Sequence, residues 1–340
     1  MEHPTDKRLP VLVITGFLGT GKTTLVNGLV AQRAMANSAV VVNEFGEIGL
    51  DGDFVLHDRD KKSMVAGGCF CCSLSENFEA ELMAVYSRAR VEQPVDSVIV
   101  EASGLADPMA FVEYLIGNPV ASRLFRLEAI ICTVDAVFGL EQLAAYAEAA
   151  AQAAIADILL ITKPDIAAPG AREDLAARLR SVNPRAPIET VLKGNIPVGR
   201  LAALREETGP APRAERGHRH THGIESFVLT TRAAVPWRAF ARWLTSTKVK
   251  WSTQLLRVKG ILYFEDEAHA SAIHGVHHIF HRPVPLPHLR ETDRLSRLVL
   301  ITREADRPAI ETSWLAMIAT LPGRRGTDLS DDRKSAGAGR

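Results

Sequence analysis

The stretch Gly16-Phe17-Leu18-Gly19-Thr20-Gly21-Lys22-Thr23-Thr24 constrains this chain more than any other. It follows the apolar run Val11-Leu12-Val13-Ile14 and precedes a helical pattern running from Leu25 to Ala36. The spacing is G-x-x-x-x-G-K-[ST] between a strand and a helix. Glycines let successive backbone N–H groups curl round an anion, and the helix that follows turns its positive end toward it. Such a turn holds nucleotide phosphates. Gly16, Gly19, Thr20, Gly21 and Thr24 line the cradle, Lys22 reaches the outer phosphates, and the Thr23 hydroxyl is offered to Mg2+.

Around that turn, short apolar runs alternate with amphipathic stretches. Val11 to Thr15, Ala39 to Asn43, Val95 to Glu101, Ala129 to Asp135, Ile158 to Thr162 and Ile188 to Val191 read as strands. Glu76 to Arg90, Glu141 to Ala154 and Arg172 to Ser181 read as helices. Strands apolar on both faces, separated by helices, predict an α/β fold: a P-loop NTPase whose mainly parallel sheet is covered on both faces. Ligands then sit at the C-terminal strand ends. The P-loop, Asn43-Glu44, Glu101-Ala102-Ser103-Gly104 and Thr162-Lys163-Pro164-Asp165 all fall there.

Periodicity breaks between Glu206 and Gly223, where Gly209-Pro210-Ala211-Pro212 and His218-Arg219-His220-Thr221-His222 have linker composition. Beyond it, strands are expected at Ser226 to Thr230, Leu255 to Phe264 and Arg297 to Thr302, with helices at Trp237 to Leu244 and Ser313 to Ala319. The expected organisation is a nucleotide-binding domain over 1–205, a linker over 206–223, a small α+β domain over 224–322 and a disordered tail over 323–340.

Composition narrows the partners. Forty basic and forty acidic residues give a formal net charge of zero, which disfavours nucleic acid or an anionic membrane as the main partner. No segment approaches membrane-spanning length, and the start lacks the apolar core of a secretory signal, so a cytoplasmic protein is expected. Three of the four cysteines, Cys69, Cys71 and Cys72, fall within four residues, which is not a disulfide framework. The fourth, Cys132, lies in an apolar run and reads as an inert core residue.

Three cysteines this close cannot conveniently pair with one another, but as thiolates they suit Zn2+ or a similar soft ion. Gly67 and Gly68 let the loop turn so that Cys72 can join the other two. Zinc takes four ligands, and Glu44 and Glu47 are the candidates nearest in logic for the last. Glu101, ending an apolar run, reads as the carboxylate near Mg2+. The Ser103-Gly104 pair reads as a terminal-phosphate sensor, and Asp107 before Pro108 reads as the cap of the next helix. In Thr162-Lys163-Pro164-Asp165 the aspartate can accept two hydrogen bonds from guanine, and the Lys163 stem can pack over the base; Thr162 stands where GTPases usually carry Asn. The cysteine cluster and the loop from Asn43 to Asp51 lie between the P-loop and Glu101, where nucleotide-dependent switch segments sit. Metal and nucleotide should therefore alter each other's affinity reciprocally.

The motifs Gly16 to Thr24, Asn43-Glu44-Phe45-Gly46-Glu47, Cys-x-Cys-Cys, Glu101-x-Ser103-Gly104-x-x-Asp107-Pro108 and Thr162-Lys163-x-Asp165 together resemble the CobW family of metal-chaperone GTPases. Leu256 to Leu262 and Ile273 to His278 resemble that family's C-terminal domain. The resemblance implies a GTPase that takes up a metal ion when GTP is bound and passes it to a client metalloprotein during hydrolysis. It implies Cys69, Cys71, Cys72 and Glu47 as the metal ligands, Thr23 and Glu101 for Mg2+, and Lys22 on the phosphates. Glu47 or Asp51 would position the attacking water. Zinc is the expected cargo, with cobalt or nickel for cobalamin synthesis or nitrile hydratase as the alternative. Monomer and dimer both remain open. An ATP-dependent small-molecule kinase would share the P-loop but leaves the cysteines and Asp165 unexplained; a metal-storage or sensing module would share the metal site without turnover. His218, His220 and His222 are read equally as a solvated linker or a metal-capturing tract. His274, His277, His278 and His281 are read as strand and turn residues, and Trp237, Trp243 and Trp251 as core or partner-contact residues.

Overall fold

The computed structural model describes residues 6–43, 62–65, 76–91, 95–206, 221–277, 279–280, 282–287 and 294–320. Glu44, Glu47, Asp51, Cys69, Cys71, Cys72, His218, His220, His278, His281 and the expected tail over 323–340 lie outside the described residues.

The first part of the chain runs β1 (Leu9–Thr15), α1 (Lys22–Val30), β2 (Ser38–Asn43), β3 (Lys62–Val65), α2 (Glu76–Val91), β4 (Ser97–Ala102), α3 (Met109–Gly117), α4 (Ala121–Leu124), β5 (Phe125–Asp135), α5 (Gly139–Ala145), α6 (Ala147–Ile155), β6 (Ile158–Thr162), α7 (Ala171–Val182), β7 (Ile188–Val191) and α8 (Val198–Glu206). Its strands form one sheet in the order β3-β2-β4-β1-β5-β6-β7, and each neighbouring pair is parallel. β1 is central. β2 to β4 lie on one side of it and β5 to β7 on the other, so the connections reverse at β1, the arrangement that opens a ligand crevice at the C-terminal strand ends.

Alternate residues of each strand bury toward opposite faces, which explains their unbroken apolar runs. Ile14, Ile99, Ile131 and Leu160 pack with Leu25, Val26 and Leu29 of α1 and Leu201 and Leu204 of α8. Val13, Val100, Cys132 and Leu159 pack on the other side with Phe78 and Leu82 of α2, Phe111 of α3, Leu143 of α5 and Leu175 and Leu179 of α7. At roughly 1.5–3 kcal/mol for each large apolar side chain removed from water, these two layers supply the main force for folding.

The second part runs β8 (Ile224–Thr231), α9 (Trp237–Lys250), β9 (Leu255–Tyr263), β10 (Ala270–Val276), β11 (Ile279–Phe280), β12 (Val284–Pro285), β13 (Ser296–Arg303) and α10 (Arg307–Ala319). The order β11-β10-β9-β13-β8, with β12 on β10, makes an antiparallel sheet. One face packs on α9 and α10 through Phe240, Trp243, Ile310 and Trp314. On the other face, Ile224, Leu256, Val276 and Ile301 share the first sheet's buried cluster with Ala153, Ile155 and Leu179. Arg257 donates from this face to the Ile155 carbonyl and the Asp157 carboxylate, and Asp157 in turn accepts from Ile130 N–H of β5 at 2.9 Å. Burial pushes the Asp157 carboxyl up, but Arg257, Lys259 and that N–H together hold it below its ordinary value.

Two expected helices are shorter than their periodicity suggests. The stretch from Glu141 to Ala154 is two helices, because Tyr146 is extended (φ −120°, ψ 122°) and stacks on Phe17 of the P-loop with ring centroids 4.5 Å apart. α1 stops at Val30 and is followed by one 3-10 turn over Arg33–Met35. The break falls at Gln32, whose amide donates to the Gly28 and Ile196 carbonyls and accepts from Val198 N–H. That side chain ties the end of α1 to the segment entering α8.

Candidate nucleotide-binding site

β1 ends at Thr15, and the next residue must turn sharply while passing under β5. Gly16 does so at φ 140°; a Cβ there would stand 2.4 Å from the Thr133 carbonyl oxygen. Gly21 precedes α1 at φ 88°, and no side chain caps the helix. The first N–H groups of the helix are thereby left to a ligand, and an anion satisfies both them and the helix dipole. The loop is held from behind. Thr20, buried, donates to the Phe17 carbonyl at 2.8 Å and lies 2.8 Å from the Thr133 hydroxyl of β5. Lys22 Nζ donates to the carbonyls of Gly16 at 3.0 Å and Phe17 at 3.2 Å, so the ammonium stays at the mouth of the cradle.

β4 carries Glu101 to the same edge, in register with Ile14 of β1. The Thr23 hydroxyl donates to Glu101 Oε1 at 2.6 Å, and the carboxylate is buried. An alcohol and a carboxylate brought together beside a phosphate cradle are hard oxygen donors of the kind Mg2+ takes, so the residues present fit that ion. Asp107 accepts from Met109 N–H at 2.9 Å and so caps α3, which leaves Glu101 free of that duty. After β4 the chain turns back across the P-loop at Ser103 and Gly104. A Cβ on Gly104 would stand 2.8 Å from Leu18 N, so only glycine allows this approach. Gln152 of α6, buried, donates to the carbonyls of Gly104 and Ala106, both at 3.1 Å, and fixes the turn.

β6 brings Thr162 against the opposite side of the loop. Its hydroxyl donates to the Thr20 carbonyl at 2.8 Å, so Thr162 ties the end of β6 to the P-loop. Lys163 follows with φ 54° and donates from Nζ to Asp135 Oδ2 at 2.6 Å. Asp165 is exposed two residues on. The P-loop, Thr23, Glu101, Ser103, Gly104, Thr162 and Lys163 are thus brought to one edge of the sheet. Cys132 lies beneath them, buried, and burial pushes its thiol up to about 12, as befits a core residue. His274 lies in β10 and His277 in the turn that follows. Sequence reading passed over Asp135 and Gln152. Asp135 ends a strand as Glu101 does, which was the available signal; Gln152, inside an alanine-rich helix, had none.

The fold and this edge define a P-loop nucleotide-binding domain joined to an antiparallel-sheet domain. Residues 10–190 match the model of the CobW/HypB/UreG nucleotide-binding domain, and residues 224–318 match that of the cobalamin synthesis protein cobW C-terminal domain. The chain belongs to the CobW family. The zinc chaperone YjiA of Escherichia coli (strain K12) is 30% identical over 279 residues, spanning 80% of this chain and 87% of that protein. The zinc chaperone CobW of Pseudomonas aeruginosa is 34% identical over 142 residues, 39% of this chain and 35% of that one. Among solved structures, the Zn(II)-bound YjiA GTPase from E. coli superposes with a TM-score of 0.69 at 25% identity, covering 91% of this chain and 99% of that one. Among the described residues, no helix is long and apolar enough to cross a membrane.

Proposed function

We propose that this protein is a GTP-hydrolysing metallochaperone of the cytoplasm that binds zinc at Cys69, Cys71 and Cys72, with Glu47 as fourth ligand, and transfers it to a client metalloprotein. The observation that carries the nucleotide half is the convergence of Thr23, Glu101 and Thr162 on one phosphate loop. The cargo half is supported by the cysteine spacing and by relatives named zinc chaperones. In this reading residues 1–205 form the GTPase domain and 224–322 the second domain, joined by the linker over 206–223.

The roles follow from chemistry. P-loop amides and Lys22 hold the β- and γ-phosphates; Thr23 and Glu101 hold Mg2+, which would neutralise charge developing between those phosphates. Gly104 lends its N–H to the γ-phosphate, and Asp165 accepts from guanine N1–H and the exocyclic amine, leaving adenine unpaired. Glu47 or Asp51 positions the attacking water. Loss of the γ-phosphate removes the contact at Gly104, which lies against Leu18, and so alters the segments between the P-loop and β4 that carry the thiolates.

The test is GTP turnover with and without zinc. Zinc should raise turnover in the wild type and leave Cys71→Ala unchanged while that variant still binds GTP. Turnover indifferent to zinc in the wild type would refute the coupling, and loss of GTP binding in Cys71→Ala would point to a folding role for the cysteine.

A further inference from the structure

Asp135 is an acid that neither the motif spacing nor the phosphate chemistry uses. It ends β5, directly across from Thr162 of β6 in the register of the parallel pair, and is 1% exposed. A carboxylate taken out of water is costly unless its oxygens are met. Both are met here, by groups on two different elements: Oδ1 accepts from Val137 N–H at 2.7 Å, and Oδ2 accepts from Lys163 Nζ at 2.6 Å.

That second bond has a consequence for the base side of the site. Lys163 adopts φ 54°, the left-handed region that an L side chain other than Gly or Asn rarely occupies, and such a conformation persists only where its surroundings hold it. Three bonds hold this one. Thr162 Oγ1 donates to Thr20 O of the P-loop, Ala136 N–H donates to Thr162 O at 2.9 Å, and the Asp135 carboxylate fixes the far end of the Lys163 side chain. The Lys163 side chain remains about one-third exposed (35%) although its ammonium is tied to the buried Asp135 carboxylate. Asp165, two residues along the same turn, points its backbone wherever Lys163 sends it.

We infer that Asp135 is a positioning residue for purine recognition: it clamps Lys163 so that the lysine stem forms a fixed platform under the base and Asp165 meets the guanine edge in register. This rests on the reading of Thr162 to Asp165 as the base site. An ammonium left loose would sample many rotamers, and the entropy of fixing them would be paid on binding each nucleotide.

Asp135→Asn is the variant to make. It keeps the size of the side chain and an oxygen for Val137 N–H while removing the charge that holds Lys163. The readouts are the dissociation constants of Mg2+-GTP and Mg2+-ATP and the melting temperature of the full chain. The GTP-over-ATP preference should fall about tenfold or more, the scale of one charge-assisted hydrogen bond. ATP affinity should fall less than GTP affinity, because adenine loses the lysine platform but has no bond to Asp165 to lose. Asp135→Glu, which retains the charge, should recover part of the preference, and Asp135→Asn should add nothing in a Lys163→Gln background. If Asp135→Asn fails to fold, Lys163→Gln alone breaks the same pair from its exposed side and should show the same loss. An unchanged GTP-over-ATP ratio in these variants, with only the melting temperature lowered, overturns the inference and leaves a purely structural role. A wild-type protein without preference for GTP overturns the base-site reading itself, and the inference with it.

Discussion

Replacing Lys259 with methionine should stabilise the protein at neutral pH. Lys259 lies in β9 on the face turned to the nucleotide-binding domain and is 6% exposed. Its surroundings hold Arg257 on its own strand, Arg185 before β7, His274 directly across on β10, Arg297 two pairs along on β13, and Asp157, whose carboxylate is already engaged by Arg257 and Ile130 N–H. Burial, opposed by Asp157 and reinforced by Arg257 and Arg185, pulls the lysine down from 10.5 to about 8. At about 1.4 kcal/mol per pH unit, the folded state carries about 3 kcal/mol against it whenever this ammonium is charged. The sign follows from the depressed value. Below pH 8 both folded and unfolded chains are protonated and the cost is present in full; from about 8 to 10.5 the unfolded chain keeps a proton the folded chain has shed, so stability rises with pH. Methionine keeps the length without the charge, so Lys259→Met should gain about 2–3 kcal/mol at pH 7, the attraction to Asp157 being already included in the depressed value. The gain should shrink as pH rises past 8. Cys132, pushed up to about 12, acts oppositely above pH 9, but identically in both proteins, and cancels in the difference. All four tryptophans lie between 237 and 314, so urea unfolding followed by fluorescence reports on the domain that carries the lysine. A variant less stable at pH 7, or a gain that does not change between pH 7 and 10, would refute the reasoning.

Two further substitutions probe the phosphate edge. Gly104→Ala places a methyl 2.8 Å from Leu18 N and must displace the turn, so GTP turnover should fall on the order of 100-fold, whereas Gly117→Ala, with nothing within 4 Å, should leave turnover alone; equal effects would show that the approach to Leu18 is not what matters. Thr162→Val removes the only side-chain tie from β6 to the P-loop among the described residues and leaves the Thr20 carbonyl short of its donor, so the dissociation constant for GTP should rise about tenfold, as titration with a fluorescent analogue would read.

Much of this edge was legible in the chain because the parallel sheet writes itself as apolar runs. Ile158–Thr162 and Ile188–Val191 begin and end where the runs do, and each motif group falls at a strand's C-terminal end. What escaped has particular causes. β3, Lys62–Val65, is four residues with a charged start, too short for periodicity to speak. β10, Ala270–Val276, carries Ala, Ser and Gly, which have little intrinsic preference for a strand, and is held there by β9. α10 starts at Arg307 rather than Ser313: Asp306 accepts from Ala309 N–H and Pro308 sits in the first turn, a start signal placed ahead of the apolar stripe. α8 lies in a stretch where no helix was expected, whereas α3 begins where Asp107-Pro108 marked a start. The break at Tyr146 answers to a stacking partner on the P-loop, a tertiary contact no local pattern encodes. Thr162 looked like a weakened motif because its identity differs, yet its hydroxyl makes the contact to the loop.

Zinc affinity in the two nucleotide states is the direct measure of a metal switch driven by GTP. Competition with a chromophoric chelator, run on the full chain with Mg2+ and either a non-hydrolysable GTP analogue or GDP, gives both constants. Tight binding with the analogue and weaker binding with GDP, abolished by Cys71→Ala, is the expected result. Equal zinc affinity in the two states would contradict it.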